Sequence, residues 1–455
     1  MTVPFPLESF IFACRLSLGS NCTIAGNGSI AMVIFDEMMS LSQDSMDAIV
    51  WRMPDGYYLD VPPSSFLVVA FLTICLVKFL HLFSTPEKPH VTMFAQSKKD
   101  DLRRLIESIE LLQEPYKPPC LWGRSGHIQT ATYGILGHAS LKRTADERVG
   151  VKLSDGSTQT FDIFEPIYAH PSGRDVTLVL TPGIANCSES NYIRTCVHYA
   201  QENGFRCAVL NHLGALPDVK LTGNRIFSYG GTEELTSIME ELMQRYPVTS
   251  FVNVGFSMGG NITTKYLIAM PPHHSQRVLL GLSICQGYSA TISTPMYHDW
   301  QNSRRAYNYM ITENMKRLLR RNYEQAVAPH VKAGRVDEKR LWSCTSIIMF
   351  DEVYSRRISG HDDLNTFYSA VDCLPHLDEL KVPMIFFNAE DDPIIPRELW
   401  EPVEKFAAQR DDVAFIRSKH GGHLGFLEGS SFSPKSVTWI DRLIVEIGHQ
   451  AARIY

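Results

Sequence analysis

Three short segments carry the side chains that could do chemistry together. Gly255-Phe256-Ser257-Met258-Gly259 sets a serine between two glycines, directly after the apolar run Phe251-Val252-Asn253-Val254 and ahead of a helical stretch, Asn261–Met270. A G-x-S-x-G placed between strand and helix makes a sharp turn, a nucleophile elbow. It lifts the serine hydroxyl out of the sheet and turns the Met258 N–H toward the same point. A hydroxyl at its ordinary pKa is a poor nucleophile, so a base and an acid that orients the base must follow. Both do, in the order Ser, Asp, His. The run Met384–Asn388 leads into Ala389-Glu390-Asp391-Asp392-Pro393-Ile394-Ile395-Pro396. The frame Asp-x-x-Ile-Pro selects Asp392 over its neighbour Asp391, which is left as a loop carboxylate. Val413–Arg417 leads into Lys419-His420-Gly421-Gly422-His423, where the glycine pair frees His423 to swing over the elbow. His420, nearer the strand end, is expected to orient the loop or to face solvent.

A tetrahedral intermediate needs two N–H donors at its oxyanion. Met258 supplies one. The other is expected from Thr181-Pro182-Gly183-Ile184-Ala185-Asn186, with Gly183 allowing close approach and the Ile184 N–H donating. Such a site needs no metal and no cofactor. Two further features are weaker. His170 and Asp175 spell the HxxxxD pattern of acyltransferases on a loop remote from the elbow, and His212 and Tyr229 are expected near the pocket rim, where either could be structural.

The elements that must hold these groups follow a clear rhythm from about residue 155. Short β-branched runs are expected at 158–164, 176–181, 207–211, 251–256, 278–284, 384–388 and 413–417, with amphipathic helices such as 192–203 and 232–246 between them. Strands apolar on both faces, alternating with helices, predict a mostly parallel sheet covered by helices on both sides. With the elbow at a strand end, that is an α/β-hydrolase fold. Between Ile284 and Met384 helical signals replace strands, so a helical cap is expected at about 288–380, within a hydrolase domain spanning 118–455.

The 455 residues are 44% hydrophobic and 20% charged, with net charge −6. That is globular composition, and with no basic stripe it argues against a nucleic-acid partner. Ten cysteines without a CxxC pair fit free thiols better than disulfides or zinc. The first 65 residues read as an irregular acidic extension, and 84–117 as a linker. The run Phe66–Phe83 has 18 residues, roughly 27 Å as a helix, and predicts a single membrane span and signal-anchor. Met53 offers an alternative start. A plasma-membrane or endoplasmic-reticulum location follows, with the side of the catalytic domain open. The acidic flank before the run and Lys88, Lys98, Lys99, Arg103 and Arg104 after it favour a cytoplasmic hydrolase. Asn21 and Asn27, in sequons before the run, would report on this if glycosylated. Asn186 and Asn261 also sit in sequons, within the expected oxyanion loop and nucleophile helix.

Longer motifs then point to one family. Trp122-Gly-Arg-Ser-Gly-His127-Ile-Gln-Thr130, Pro182-Gly-Ile-Ala-Asn186, Tyr192-Ile-Arg194, Asn211-His-Leu-Gly-Ala-Leu-Pro217, Gly255-Phe-Ser-Met-Gly-Gly260, Cys285-Gln-Gly-Tyr288 and His420-Gly-Gly-His-Leu-Gly-Phe426 closely resemble the abhydrolase-domain type 2 proteins, membrane acylglycerol lipases in the clan that includes the YheT-like hydrolases. The resemblance runs from about Pro118 to the C-terminus. It implies a serine hydrolase of monoacylglycerols and other carboxylic esters, with the triad at Ser257, Asp392 and His423. It also implies a membrane anchor, a steroid ligand, and a hydrolase domain outside the membrane, opposite to the charge argument. A thioesterase or short-chain esterase with the same triad, or a lipid-binding receptor with little turnover, are the alternatives.

Overall fold

The computed structural model describes residues 49–52, 58–61, 63–95, 100–136, 144–299 and 303–455. They fall into two units, one ending at Ser84 and one beginning at Thr85. In the first, β1 (Ile49–Arg52) pairs antiparallel with β2 (Tyr58–Val61), Ile49 opposite Val61. The helix Pro63–Phe79 follows. Met53, the sequons at Asn21 and Asn27 and nearly all of the acidic extension lie outside the described residues.

The apolar run does not form the expected 66–83 span. Its helix is 17 residues long and ends at Phe79, about 25 Å at 1.5 Å per residue. Beyond it Leu80–Phe83 turn, with His81 in the left-handed region at φ 51°. Among the described residues no helix is long and apolar enough to cross a membrane. This overturns the transmembrane helix, the signal-anchor and the single-pass membrane location. A hydropathy run counts apolar residues but does not show where the helix that carries them stops.

In the second unit nine strands form one sheet in the order β3-β11-β10-β9-β8-β6-β7-β5-β4. Here β3 is His90–Thr92, β4 Glu147–Lys152, β5 Thr158–Phe164, β6 Val176–Thr181, β7 Arg206–Asn211, β8 Ser250–Phe256, β9 Val278–Ile284, β10 Met384–Ala389 and β11 Val413–Ser418. The strands from β7 through β6, β8, β9 and β10 to β11 are all parallel. The antiparallel pairings are β3 with β11, β5 with β7 and β4 with β5. This is the α/β-hydrolase fold, mostly parallel and flanked by helices.

Side chains alternate across each central strand, so both faces acquire a core. Val252, Val254 and Phe256 of β8 join Leu178, Leu180, Ile385 and Phe387 on one face, where the helices Asn191–Glu202 and Trp439–Ile454 pack. Phe251, Val179, Met384 and Phe386 face the other way, against the helices Glu233–Arg245, Met258–Ala269 and Arg397–Ala407. Between β9 and β10 the described residues hold helices and no strand, the longest being Arg304–Arg321. Leu319, Leu341 and Phe350 of this insertion share an apolar cluster with Leu153, Leu213, Leu216 and Phe227 from outside it. The stretch 84–117, read from sequence as a linker, carries the edge strand β3 and the helix Asp100–Glu107. Leu102, Leu105, Ile106, Ile109 and Tyr116 from it are buried in the first core.

Candidate active site

The elbow sits where β8 gives way to the helix Met258–Ala269. Ser257 is held at φ 53°, ψ −120°, a conformation that costs an L-residue on the order of 1–3 kcal/mol and persists only where its surroundings enforce it. The Ser257 N–H donates to the Ile284 carbonyl at 2.8 Å, and its carbonyl accepts from Gly260. The two motif glycines are steric necessities. A Cβ on Gly255 would stand 2.4 Å from the Gly259 carbonyl oxygen, and one on Gly259 would stand 2.0 Å from that of Thr181.

The loops after β10 and β11 bring the other two groups to this serine. His423 Nε2 lies 2.9 Å from Ser257 Oγ, and His423 Nδ1 lies 2.8 Å from Asp392 Oδ2. A carboxylate only accepts, so Nδ1 carries the proton and Nε2 is left to receive the serine's. Asp392 is buried, and its other oxygen accepts the N–H groups of Ile394 and Ile395 at 2.8 and 3.0 Å. The carboxylate is therefore fixed by its own loop.

The histidine loop is anchored from a distance. The His423 N–H donates to Thr130 Oγ1 at 2.9 Å, and the Leu427 N–H to Gln129 Oε1 at 3.0 Å. Both anchors lie on the helix Gly126–Leu136. Gly422, at φ 57°, donates its N–H to Asp391 Oδ1 at 2.8 Å. His420 is buried, with Nδ1 3.7 Å from Asp391 Oδ2, so it does not face solvent.

Two residues clamp the expected oxyanion loop. The Gly183 N–H donates to Tyr192 Oη at 2.8 Å, and the Pro182 carbonyl, at the other end of the same peptide, lies 2.9 Å from His212 Nε2. A carbonyl can only accept, so Nε2 bears the proton. Burial pushes His212 down to about 4, which keeps the ring neutral. With that peptide fixed at both ends, the next N–H belongs to Ile184. Among the described residues neither Ile184 nor Met258 donates its N–H to another protein group. Sequence reasoning missed the roles of Tyr192, His212, Gln129 and Thr130. For Tyr192, Gln129 and Thr130 the only signal was membership of motifs that no chemistry yet claimed; His212, expected at the pocket rim, is not among the residues that line the cavity.

Ser257, His423, Ile184 and Met258 line a cavity of about 630 Å³, within the range of small-molecule sites. The helical insertion contributes Tyr297, Ile311, Ile347 and Asp351 to its wall. The HxxxxD residues are elsewhere. His170 Nδ1 accepts the Ser172 N–H and its Nε2 lies 2.9 Å from His449 Nδ1, while Asp175 is paired with Arg206 at 2.6 Å. Neither lines the cavity. All eight cysteines among the described residues are free. Cys285, beside Asp392 and His423, is buried with its thiol pushed well up, hence neutral.

The family described as the alpha/beta hydrolase fold matches residues 176–430. Monoacylglycerol lipase ABHD2 of Homo sapiens is 41% identical over 382 residues, 83% of this chain and 89% of that relative. This chain belongs to the abhydrolase-domain type 2 family of α/β-hydrolases. A second member, abhydrolase domain-containing protein 2 of Drosophila melanogaster, is 41% identical over 384 residues, 84% of this chain and 95% of its own. Phospholipase ABHD3 of Homo sapiens is more distant, at 26% identity over 386 residues, covering 82% and 88%. The fold and the family make the chain a serine hydrolase.

Proposed function

We propose that the chain hydrolyses carboxylic esters of lipids, monoacylglycerols foremost, with Ser257 as nucleophile, His423 as base and Asp392 as its orienting acid. One observation carries the reading: the continuous chain Asp392–His423–Ser257 opens on a cavity whose wall mixes apolar side chains, among them Ile184, Met258, Ile311, Ile347 and Leu424, with polar ones. The relatives named monoacylglycerol lipase support the choice of ester. Ser257 Oγ passes its proton to His423 Nε2 and attacks the ester carbonyl. The Ile184 and Met258 N–H groups hold the oxyanion, and Asp392 stabilises the imidazolium. The alcohol leaves with the proton from His423. A water molecule, deprotonated by the same nitrogen, then releases the fatty acid from Ser257. The helical insertion acts as a cap that shields the acyl-enzyme.

The test is a panel of a monoacylglycerol, a diacyl phospholipid, an acyl thioester and a short-chain ester, each run beside Ser257→Ala. The monoacylglycerol is expected to show the highest kcat/KM, by about tenfold or more, with all turnover lost in the variant. A thioester or short-chain ester preferred over the monoacylglycerol would refute the substrate class, and no serine-dependent turnover at all would point to a binding protein.

A further inference from the structure

Two histidines and a glutamate converge on one point beyond the far end of the nucleophile helix. His273 and His274 lie on the short helix Pro272–Ser275, and Glu240 lies on the helix Glu233–Arg245. His273 Nε2 is 3.1 Å from Glu240 Oε1, and His274 Nε2 is 2.9 Å from the same oxygen. One ligand atom from each of the three residues lies within 4.8 Å of the other two. The nucleophile helix, Met258–Ala269, has 12 residues, about 18 Å at 1.5 Å per residue. Ser257 stands at its start and this cluster follows its end, so the two sites are separate.

Ion pairing alone does not account for the arrangement. His274 is 0% exposed, and its Nε2 makes no hydrogen bond although Glu240 Oε1 is close, because the oxygen stands to the side of the ring N–H axis. A buried polar atom left unpaired is costly, and a cation on the nitrogen's lone pair would pair it. Tyr266 Oη, 2.8 Å from His274 Nδ1, can accept that nitrogen's proton, which leaves the Nε2 lone pair free. Burial lowers the pKa of His274 and so favours the neutral ring, the form that ligates. Among the described residues no lysine or arginine pairs with Glu240. Arg277 donates instead to the carbonyls of Met243, Tyr246 and Thr249. Two neutral imidazoles and one carboxylate leave the cluster negatively charged.

We propose that Glu240, His273 and His274 form a binding site for a divalent cation of the zinc class, with Tyr266 orienting the buried ligand. Two imidazole nitrogens and one carboxylate oxygen suit zinc, and water takes the fourth position of a tetrahedron. With bonds of about 2.0–2.1 Å, such an ion sets its ligand atoms roughly 3.3–3.4 Å apart, close to the two separations here. The cation ties the helix Glu233–Arg245 to the segment between the nucleophile helix and β9. Its effect is on stability, not on the chemistry at Ser257.

The experiment titrates zinc chloride into the purified full chain, first stripped with a chelator, by isothermal titration calorimetry, with Tm read in parallel. One zinc per chain is expected to bind, and Tm to rise with zinc concentration. His273→Ala, at a side chain 60% exposed, and Glu240→Gln are each expected to weaken binding at least about tenfold, and Tyr266→Phe about tenfold to a hundredfold. His376→Ala, which breaks a lone exposed His–Glu pair, is expected to bind zinc as the wild type does. A wild type that shows neither heat of binding nor a rise in Tm overturns the site, and this arm does not depend on any variant folding. Binding that His273→Ala leaves unchanged also overturns it. Zinc held instead by Cys285, Asp392 and His423, whose ligand atoms also lie within 4.8 Å of one another, would give that second result and be lost in His423→Ala.

Discussion

Two Asp–His pairs sit side by side on the loops after β10 and β11, and only one reaches the serine. Asp392 and His423 meet at 2.8 Å, with the histidine 2.9 Å from Ser257. Asp391 and His420, one and three residues earlier, stand 3.7 Å apart. Asp391 instead spends an oxygen on the Gly422 N–H, the residue before His423. Consecutive carboxylates on a tight loop must point different ways. One orients the imidazole, and the other fixes the backbone from which that imidazole hangs. The lesson is that proximity in sequence to a catalytic group predicts support for it rather than participation.

That contrast can be broken by substitution. Asp392→Asn is expected to cost on the order of 10⁴ in kcat on the best substrate, because an amide N–H facing Nδ1 forces the wrong tautomer. Asp391→Ala leaves the tautomer intact and removes the partner of the Gly422 N–H and of His420, so its loss is expected to be about tenfold to a hundredfold. Steady-state kinetics of the two purified variants checks the order. Equal losses would mean that Asp391 is part of the triad's chemistry.

A buried carboxylate outside both pairs, Asp351, sharpens the comparison through stability. Asp351 is raised to about 7 in the folded state against an ordinary 3.8, so between those values the native protein holds a proton that the unfolded chain has released. Its contribution to stability therefore falls as pH rises through this window and is flat above it. Asp351→Asn lacks the titration, so its Tm relative to wild type is expected to climb from about pH 4 to about pH 7. A constant difference across that range would show that the carboxyl is not held protonated by burial.

The strands were readable because burial on both faces leaves uninterrupted β-branched runs. The edges were not. In β4 only Val149 is buried, and β3 has three residues, none of them buried, so neither leaves a hydrophobic pattern to find. The same logic separates the site into legible and hidden parts. Ser257, Asp392 and His423, which the structure brings within hydrogen-bonding distance, stand in local frames, a glycine-bracketed turn and two loops in fixed order. Thr130, Tyr192 and His212 act across more than a hundred residues or through a single backbone atom, and no local pattern encodes that. The apolar run before Phe83 misled for the opposite reason. Its composition suits a membrane span, while the helix that carries it ends four residues short, at Phe79.

The central claim is that His423 activates Ser257, and covalent labelling tests it most directly. A fluorophosphonate reacts with a serine only where a base removes its proton and an oxyanion hole receives the charge. Purified protein, labelled and then mapped by peptide mass spectrometry, is expected to carry one adduct, on Ser257. The adduct should be lost in His423→Ala and kept in His420→Ala. An adduct on another serine, or labelling of Ser257 that is undiminished without His423, would contradict the account.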